Sequence, residues 1–199
     1  MPKISAATLH EHRAETIDRL LDAWGELVMT RGYEGLSLAD VAAKAGLART
    51  AIYNYFPDRE ALLFAWTHRE VQRTMESFER ELQDADSVSD KLRAFVRLQL
   101  EAFAARHLPP GQEVMQFLRP ETYSRFHEHI EPVERVLTGI LQEGFSSGEF
   151  KGGAPEEMGP MVMACVGAER IPIAQGTHDV GDAAERVSSF LLRALGAPA

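Results

Sequence analysis

The chain has 199 residues, a length that fits one domain or two small ones, and its 45% hydrophobic and 26% charged residues exclude a disordered or collagenous protein. No apolar signal-peptide core can be drawn where Met1-Pro2-Lys3 runs on to His10, Glu11, His12 and Arg13. The longest uncharged stretch of the C-terminal half, residues 158–168, is far short of the roughly 20 residues of a membrane span, so a cytoplasmic location is expected. The net charge of −9 is unevenly spread. Residues 1–59 carry seven Lys/Arg against eight Asp/Glu, so the acidity sits in the C-terminal part and charge alone leaves nucleic-acid binding open.

Ile17, Leu20, Leu21, Trp24, Leu27 and Val28 recur at three- and four-residue steps and predict a first helix over residues 12–31, closed by Gly32. Ser37-Leu38-Ala39-Asp40 has the pattern of a capping box and predicts a short second helix, with Leu38, Val41, Ala42 and Ala45 inward and Gly46 at its C-terminal stop. A third helix is expected over 48–55, ended by Phe56-Pro57. Asp58 then caps a long fourth helix, residues 59–83, that can join two domains. The polar stretch 84–89 is the clearest linker signal, and the domain boundary is expected there.

Beyond it, Leu92, Phe95, Val96, Leu100 and Phe103 mark a fifth helix stopped near Pro109-Pro110, and Val114, Met115, Phe117 and Leu118 a short sixth before Pro120. Residues 121–130 read as helical, with a kink or restart at Pro132. A seventh helix follows through Val133, Val136, Leu137, Ile140, Leu141 and Phe145. An eighth carries Met161, Val162, Cys165 and Val166, its regular part confined by Pro160 and Pro172, and the last runs from Val180 to Leu195. No strand pattern or internal repeat is present, and the fold class is all-α.

Two short helices joined by Gly46-Leu47 and packed on a longer first helix form the arrangement in which the later helix enters the major groove of DNA. The 48–55 helix would be about 12 Å long, close to the groove width. Its outward side chains are Arg49, Thr50, Tyr53 and Asn54, able to meet phosphates and base edges. From periodicity alone, the solvated face of a helical bundle accounts for them equally well.

The residues themselves decide between these readings. Gly32-Tyr33, Leu36-Ser37-Leu38, Val41-Ala42, Ala45-Gly46-Leu47 and the run Ile52-Tyr53-Asn54-Tyr55-Phe56-Pro57-Asp58-Arg59-Glu60-Ala61-Leu62 closely resemble the TetR/AcrR repressor family. The match is dense over residues 13–73. It extends loosely through a nine-helix count and through Leu141-Gln142-Glu143-Gly144 and Gly148-Glu149-Phe150. The resemblance implies a DNA-binding domain over 13–73 and a helical effector-binding and dimerisation domain over 88–196. It also implies a homodimer on a palindromic operator of double-stranded DNA, most simply as a repressor released by a small molecule. Tyr53 and Arg59 would lie near phosphates, with Arg49, Thr50 and Asn54 nearest the bases. Ala48 departs from the family, which often has Ser there, and one capping and phosphate contact is absent.

For the effector, the resemblance implies a cavity, for which the candidate lining residues are Trp66, His68, Phe95, Phe103, Phe117, His127, Cys165 and Glu169, with Met115, Phe126 and Met161 among the further apolar candidates. Many of these would equally fill a core. Glu101 or Glu169, if inward, would favour a cationic ligand. The dimer is expected on the last helix and the one before it, through Val187, Phe190, Leu191 and Ala194, part of which could instead close the subunit core.

The seven histidines, including His127-Glu128-His129, show no helical i+3 or i+4 pairing and no Glu-x-x-His, so no metal is expected. The single cysteine, Cys165, excludes an internal disulfide and reads most simply as a buried thiol acting as a small hydrophobe. With no G-x-S-x-G, G-x-G-x-x-G or P-loop, neither enzymatic activity nor a cofactor is expected.

Overall fold

The computed structural model describes residues 6–105 and 120–198, which form helices and no strand. Helix α1 (Ala6–Arg31) starts about two turns before the expected His12, because Ala6, Ala7 and Leu9 are good helix formers and nothing there breaks the chain. It ends at Gly32, whose φ of +76° suits a residue without Cβ. Helix α2 (Leu38–Lys44) has the predicted capping box. The Ser37 amide donates to Asp40 Oδ2 (2.9 Å) and the Asp40 amide to Ser37 Oγ (3.2 Å), and the Ser37 hydroxyl holds the Asp40 carboxyl below its ordinary range. Gly46, at φ +73°, lets the Leu47 amide reach back to the Ala42 carbonyl at 2.8 Å and the Gly46 amide to that of Ala43, closing a Schellman turn.

The expected third α-helix is instead a 3₁₀ turn, Ala51–Asn54. The Tyr55 amide bonds the Ile52 carbonyl three residues back, and between Gly46-Leu47 and Pro57 there is too little chain, with Thr50, Ile52, Tyr53 and Asn54 of low helix propensity, for α turns to propagate. Helix α3 (Arg59–Leu82) follows, capped by the Asp58 carboxylate on the Ala61 amide at 2.8 Å. Helix α4 (Val88–Ala104) begins two residues before Asp90, with Ser87 as its cap. The expected helix around Val114–Leu118 lies outside the described residues.

Helix α5 (Pro120–Ser147) continues through Pro132 as one helix, so the chain does not restart there. The proline removes one amide donor, and residue Glu128, four back, is exposed so that water can reach its carbonyl. Helix α6 (Pro155–Ala168) takes Pro155 in its first turn and tolerates Pro160. A short helix α7 (Arg170–Ala174), not foreseen, turns the chain into α8 (Val180–Ala194), which Asp179 caps.

Two apolar cores result. One gathers Leu20, Trp24, Leu27, Val41, Ile52, Leu62, Leu63 and Trp66 from α1, α2, the 3₁₀ turn and the first half of α3. The other gathers Val71 and Phe78 of the second half of α3 with Phe95, Leu100, Leu141, Val162 and Leu191 of the later helices. The change of core falls within α3, between Trp66 and Val71, whereas the polar stretch 84–89 is the turn between two helices of one core.

The 144–150 segment ties this second core together. A Cβ on Gly144 would lie 2.2 Å from the ring of buried Phe150, so only glycine admits that ring against α5. Between them, Gly148 turns at φ +76° and Glu149 accepts from the Val88 and Ser89 amides at 3.3 and 2.8 Å, capping α4 from across the fold. The Ser89 hydroxyl and these amides keep the Glu149 carboxyl below its ordinary range.

Candidate nucleic-acid interface and effector region

The 3₁₀ turn is held from beneath by Ile52, fully buried, and Phe56, nearly so. With those two inward, Arg49, Thr50, Tyr53 and Asn54 stand exposed on one short segment, and Tyr53, at 59% exposure, is among the most exposed large side chains described. The Arg13 guanidinium, which sequence reasoning passed over, lies 4.9 Å over the Tyr55 ring and donates to the Asn54 carbonyl at 3.3 Å, fastening α1 to the turn. Its only signal in the sequence was a cation on a helix end.

Arg59 is placed differently from the expectation. Its Nη1 donates to the carbonyls of Leu36 (2.8 Å), Glu34 (3.2 Å) and Tyr33 (3.4 Å), and its guanidinium lies 5.0 Å over the Tyr33 ring. Arg59 therefore braces the loop between α1 and α2, and a phosphate contact would have to share a guanidinium already committed to three carbonyls.

The effector candidates do not converge. Trp66 is 1% exposed and belongs to the N-terminal core, its indole against α1 where a Cβ on Gly25 would come within 2.8 Å, so it is no cavity wall. Phe95 is wholly buried and stacked on Phe78 with 5.1 Å between ring centroids, so it fills the second core. Phe103 is buried beneath the Arg170 guanidinium, 5.5 Å from its ring. Cys165 is half-buried against the core, His68 is exposed, and Met161 points outward at 58% exposure. Phe117, Met115, and the side chains of Phe126 and His127 lie outside the described residues.

Glu169 is buried at the junction of α6 and α7, where its carboxylate meets His178 Nδ1 at 2.6 Å and accepts from Arg186 Nη2 at 2.8 Å. Burial pushes its carboxyl up, but the hydrogen bonds from His178 and Arg186 outweigh it and the net displacement is downward. A carboxyl lowered in the folded state contributes stability that is present above its unfolded value and lost as pH falls through the folded one. Glu169→Gln is therefore expected to cost roughly 1–2 kcal/mol at neutral pH, the low part of the range because both partners are about half exposed. Melting temperatures recorded against pH check this: the gap between wild type and variant should close below the carboxylate range, and a gap unchanged there would refute the tie.

A cavity of about 190 Å³ opens between α3 and α4, lined by Arg73, Thr74, Ser77, Leu98, Glu101 and Ala102, with Ala105 just past the helix end. Of these only Glu101 was singled out from sequence, and its carboxylate accepts from Arg97 Nη1 at 2.8 Å. Helical spacing could not show the rest, since Arg73 and Ser77 read as a solvated face.

On the dimer stripe, Val187 and Leu191 are buried in their own subunit's core, correcting their assignment to an interface, while Phe190 (53% exposed) and Ala194 point outward. At about 100° per residue the buried face of α8 centres on the Leu191 side of the stripe, with Val187 at its edge and Ala194 and Phe190 progressively further round toward solvent.

Residues 20–66, the heart of the N-terminal core and its exposed turn, match the family model described as bacterial regulatory proteins, tetR family. The chain is 26% identical over 138 residues to the fatty acid metabolism regulator protein of Bacillus subtilis, covering 68% of this chain and 71% of that protein. It is 31% identical over 133 residues to an uncharacterised helix-turn-helix transcriptional regulator of Mycobacterium tuberculosis, of which it spans 54%.

The chain resembles TetR-family transcriptional regulators.

The solved structure of the fatty acid degradation regulator FadR from Bacillus halodurans has the same fold, with a TM-score of 0.77 at 19% identity, covering 92% of this chain and 97% of that one. That of FadR from Bacillus subtilis in complex with stearoyl-CoA gives 0.74 at 19% identity, covering 89% and 98%. Within the segment that matches the family model the motif residues have visible work: Gly46 closes the Schellman turn, Ile52 and Phe56 anchor the exposed segment, and Asp58 starts α3. No helix among the described residues is long and apolar enough to cross a membrane.

Proposed function

We propose that this regulator is a repressor that binds a palindromic operator as a homodimer and is released by a small molecule, with residues 13–73 as its DNA-binding domain and 88–196 as its effector and dimerisation domain. The observation that carries the reading is the segment exposing Arg49, Thr50, Tyr53 and Asn54 while Ile52 and Phe56 pin it to the core, within the stretch that matches the family model. Thr50 and Asn54 read base edges, and Arg49 and Tyr53 reach base edges or phosphates. Two copies are needed because one short segment reads too few base pairs, and their separation on DNA is about 34–36 Å, one helical turn. The first effector to try is a long-chain acyl-CoA, the ligand named for the Bacillus subtilis structure.

The test begins by selecting bound sequences from a random duplex pool. On the selected operator, Thr50→Ala and Asn54→Ala are each expected to lose about 1–3 kcal/mol of binding while binding to random duplex stays nearly unchanged. Equal losses on both duplexes would remove these residues from base readout.

A further inference from the structure

Several cations of the N-terminal core are spent on the protein itself. Arg59 donates to three carbonyls, Lys44 reaches Glu26 Oε1 at 2.6 Å, and Arg19 donates to Thr16 Oγ1 of its own helix at 3.3 Å. On α3, Arg69 is bound to Glu70, to Asp22 and to the Asp18 carbonyl, and Arg73 to Glu70. Arg31 stands about five helical turns beyond Arg13, at the far end of α1. Among the described residues of this core, two guanidinium groups are left at the exposed segment, Arg49 within it and Arg13 laid against it.

Arg13 is exposed, lies 4.9 Å over the Tyr55 ring and has one hydrogen bond among the described residues, from Nη2 to the Asn54 carbonyl at 3.3 Å. A guanidinium carries five N–H donors, so most of them are open to solvent beside the side chains offered to base edges. The Tyr55 ring holds the group in place before any partner arrives, which lowers the ordering cost of a further contact. Residues 1–59 carry seven cations against eight acids, so attraction to a polyanion there depends on individually placed charges and not on a general field.

We propose that Arg13 is a phosphate-binding residue of the DNA interface, gripping the backbone that borders the groove entered by the exposed segment. The inference rests on the DNA-binding reading above and adds to it a contact from α1, ahead of the residues 20–66 that match the family model. The major groove is about 12 Å wide, so a segment seated in it has a row of phosphates on each side. The side chain bonded to the last residue of the 3₁₀ turn lies at the edge of that segment and meets such a row. A planar fork suits two oxygens of one phosphate. With its bond to the Asn54 carbonyl kept, the same group ties the DNA backbone to the main chain of a residue that presents its amide to the bases.

The experiment uses the full-length protein and the operator selected from the random pool. Operator and random-duplex Kd values are measured against salt for wild type, Arg13→Gln and Arg13→Lys. Arg13→Gln should weaken both duplexes by a similar factor and flatten the plot of log Kd against log salt by about 0.9 per subunit, or about two for a dimer. Arg13→Lys should keep the wild-type slope, since the charge remains. An Arg13 that only braces the turn would instead cost affinity for the operator alone and leave the slope unchanged, and that result would overturn the proposal. Should Arg13→Gln not fold, Arg13→Met takes its place, since it keeps an unbranched stem against the Tyr55 ring.

A second measurement scans the operator with single methylphosphonate linkages, each of which removes one phosphate charge. At the linkage that Arg13 grips, wild type should lose affinity while Arg13→Gln loses little more than it already has, as expected for two partners of one contact. Penalties that multiply at every linkage would overturn the contact. A wild type that selects no duplex would overturn the DNA-binding reading itself, and the role of Arg13 with it.

Discussion

Trp66→Ala is expected to cost about 3–5 kcal/mol of stability and to remove operator binding with it. The indole is one of the largest fully buried side chains of the N-terminal core, seated against Gly25 where no other residue would leave it room. Truncation opens a cavity between α1 and α3, and the exposed Arg49–Asn54 segment is anchored to this same core through Ile52. Urea unfolding followed by circular dichroism checks the magnitude, with Trp24, the second of two tryptophans, as an intrinsic fluorophore of the same core. Were Trp66 a wall of the effector site instead, its loss would weaken ligand binding and leave stability within about 1 kcal/mol of wild type, which is the result that would overturn this placement.

Replacing Met161 and Phe190 together by Asp is expected to give a folded, helical monomer whose operator affinity falls toward the non-specific level, typically about 10³-fold or more below specific binding. Helices α6 and α8 pack on each other, and each leaves one large apolar side chain more than half exposed, an arrangement that a second copy would cover. Because both positions face outward, the charges should change subunit stability by little, about 0.5 kcal/mol or less each. Val187 and Leu191 give the contrast: aspartate there would be buried in the subunit core and unfold it. Sedimentation gives the mass, circular dichroism the helicity, and a titration of the operator the affinity. A dimer of full affinity would place the interface elsewhere.

What could be read from sequence was whatever is decided within a few residues. The Ser37–Asp40 cap, the Gly46 stop and the Asp58 cap each depend on local backbone demands, and each stands in the structure where the pattern put it. The outward set at residues 49–54 followed from the anchoring of Ile52 and Phe56, even though the α-helix expected there is a 3₁₀ turn. The errors came from choices that periodicity cannot make. Trp66 stood among the effector-cavity candidates, because one amphipathic helix feeds both cores and its pattern does not show which of them a given residue joins. Val187, Leu191 and Phe190 were pooled as one stripe because i+3 and i+4 spacing marks an apolar stripe but not which of its edges the subunit core covers. The Arg59 expected near a phosphate also braces a loop, because only the folded chain brings three carbonyls to it. The Arg73–Glu70–Arg69 contacts were beyond reach for the same reason, since Asp18 and Asp22 meet α3 only through tertiary packing.

The passage of α3 through both cores makes the spacing between Trp66 and Val71 a rotational setting. One residue inserted there would turn everything beyond it by about 100° and advance it by about 1.5 Å. In the proposed homodimer, the face bearing Met161 and Phe190 would swing out of alignment with the DNA-binding unit, even with each core rebuilt intact. Seven inserted residues would nearly restore the angle, drifting by about 20°, yet would lengthen the reach between cores by roughly 10 Å. In the proposed dimer, the few residues joining the two cores would therefore act as a gauge that fixes the pitch at which a pair of subunits meets the double helix.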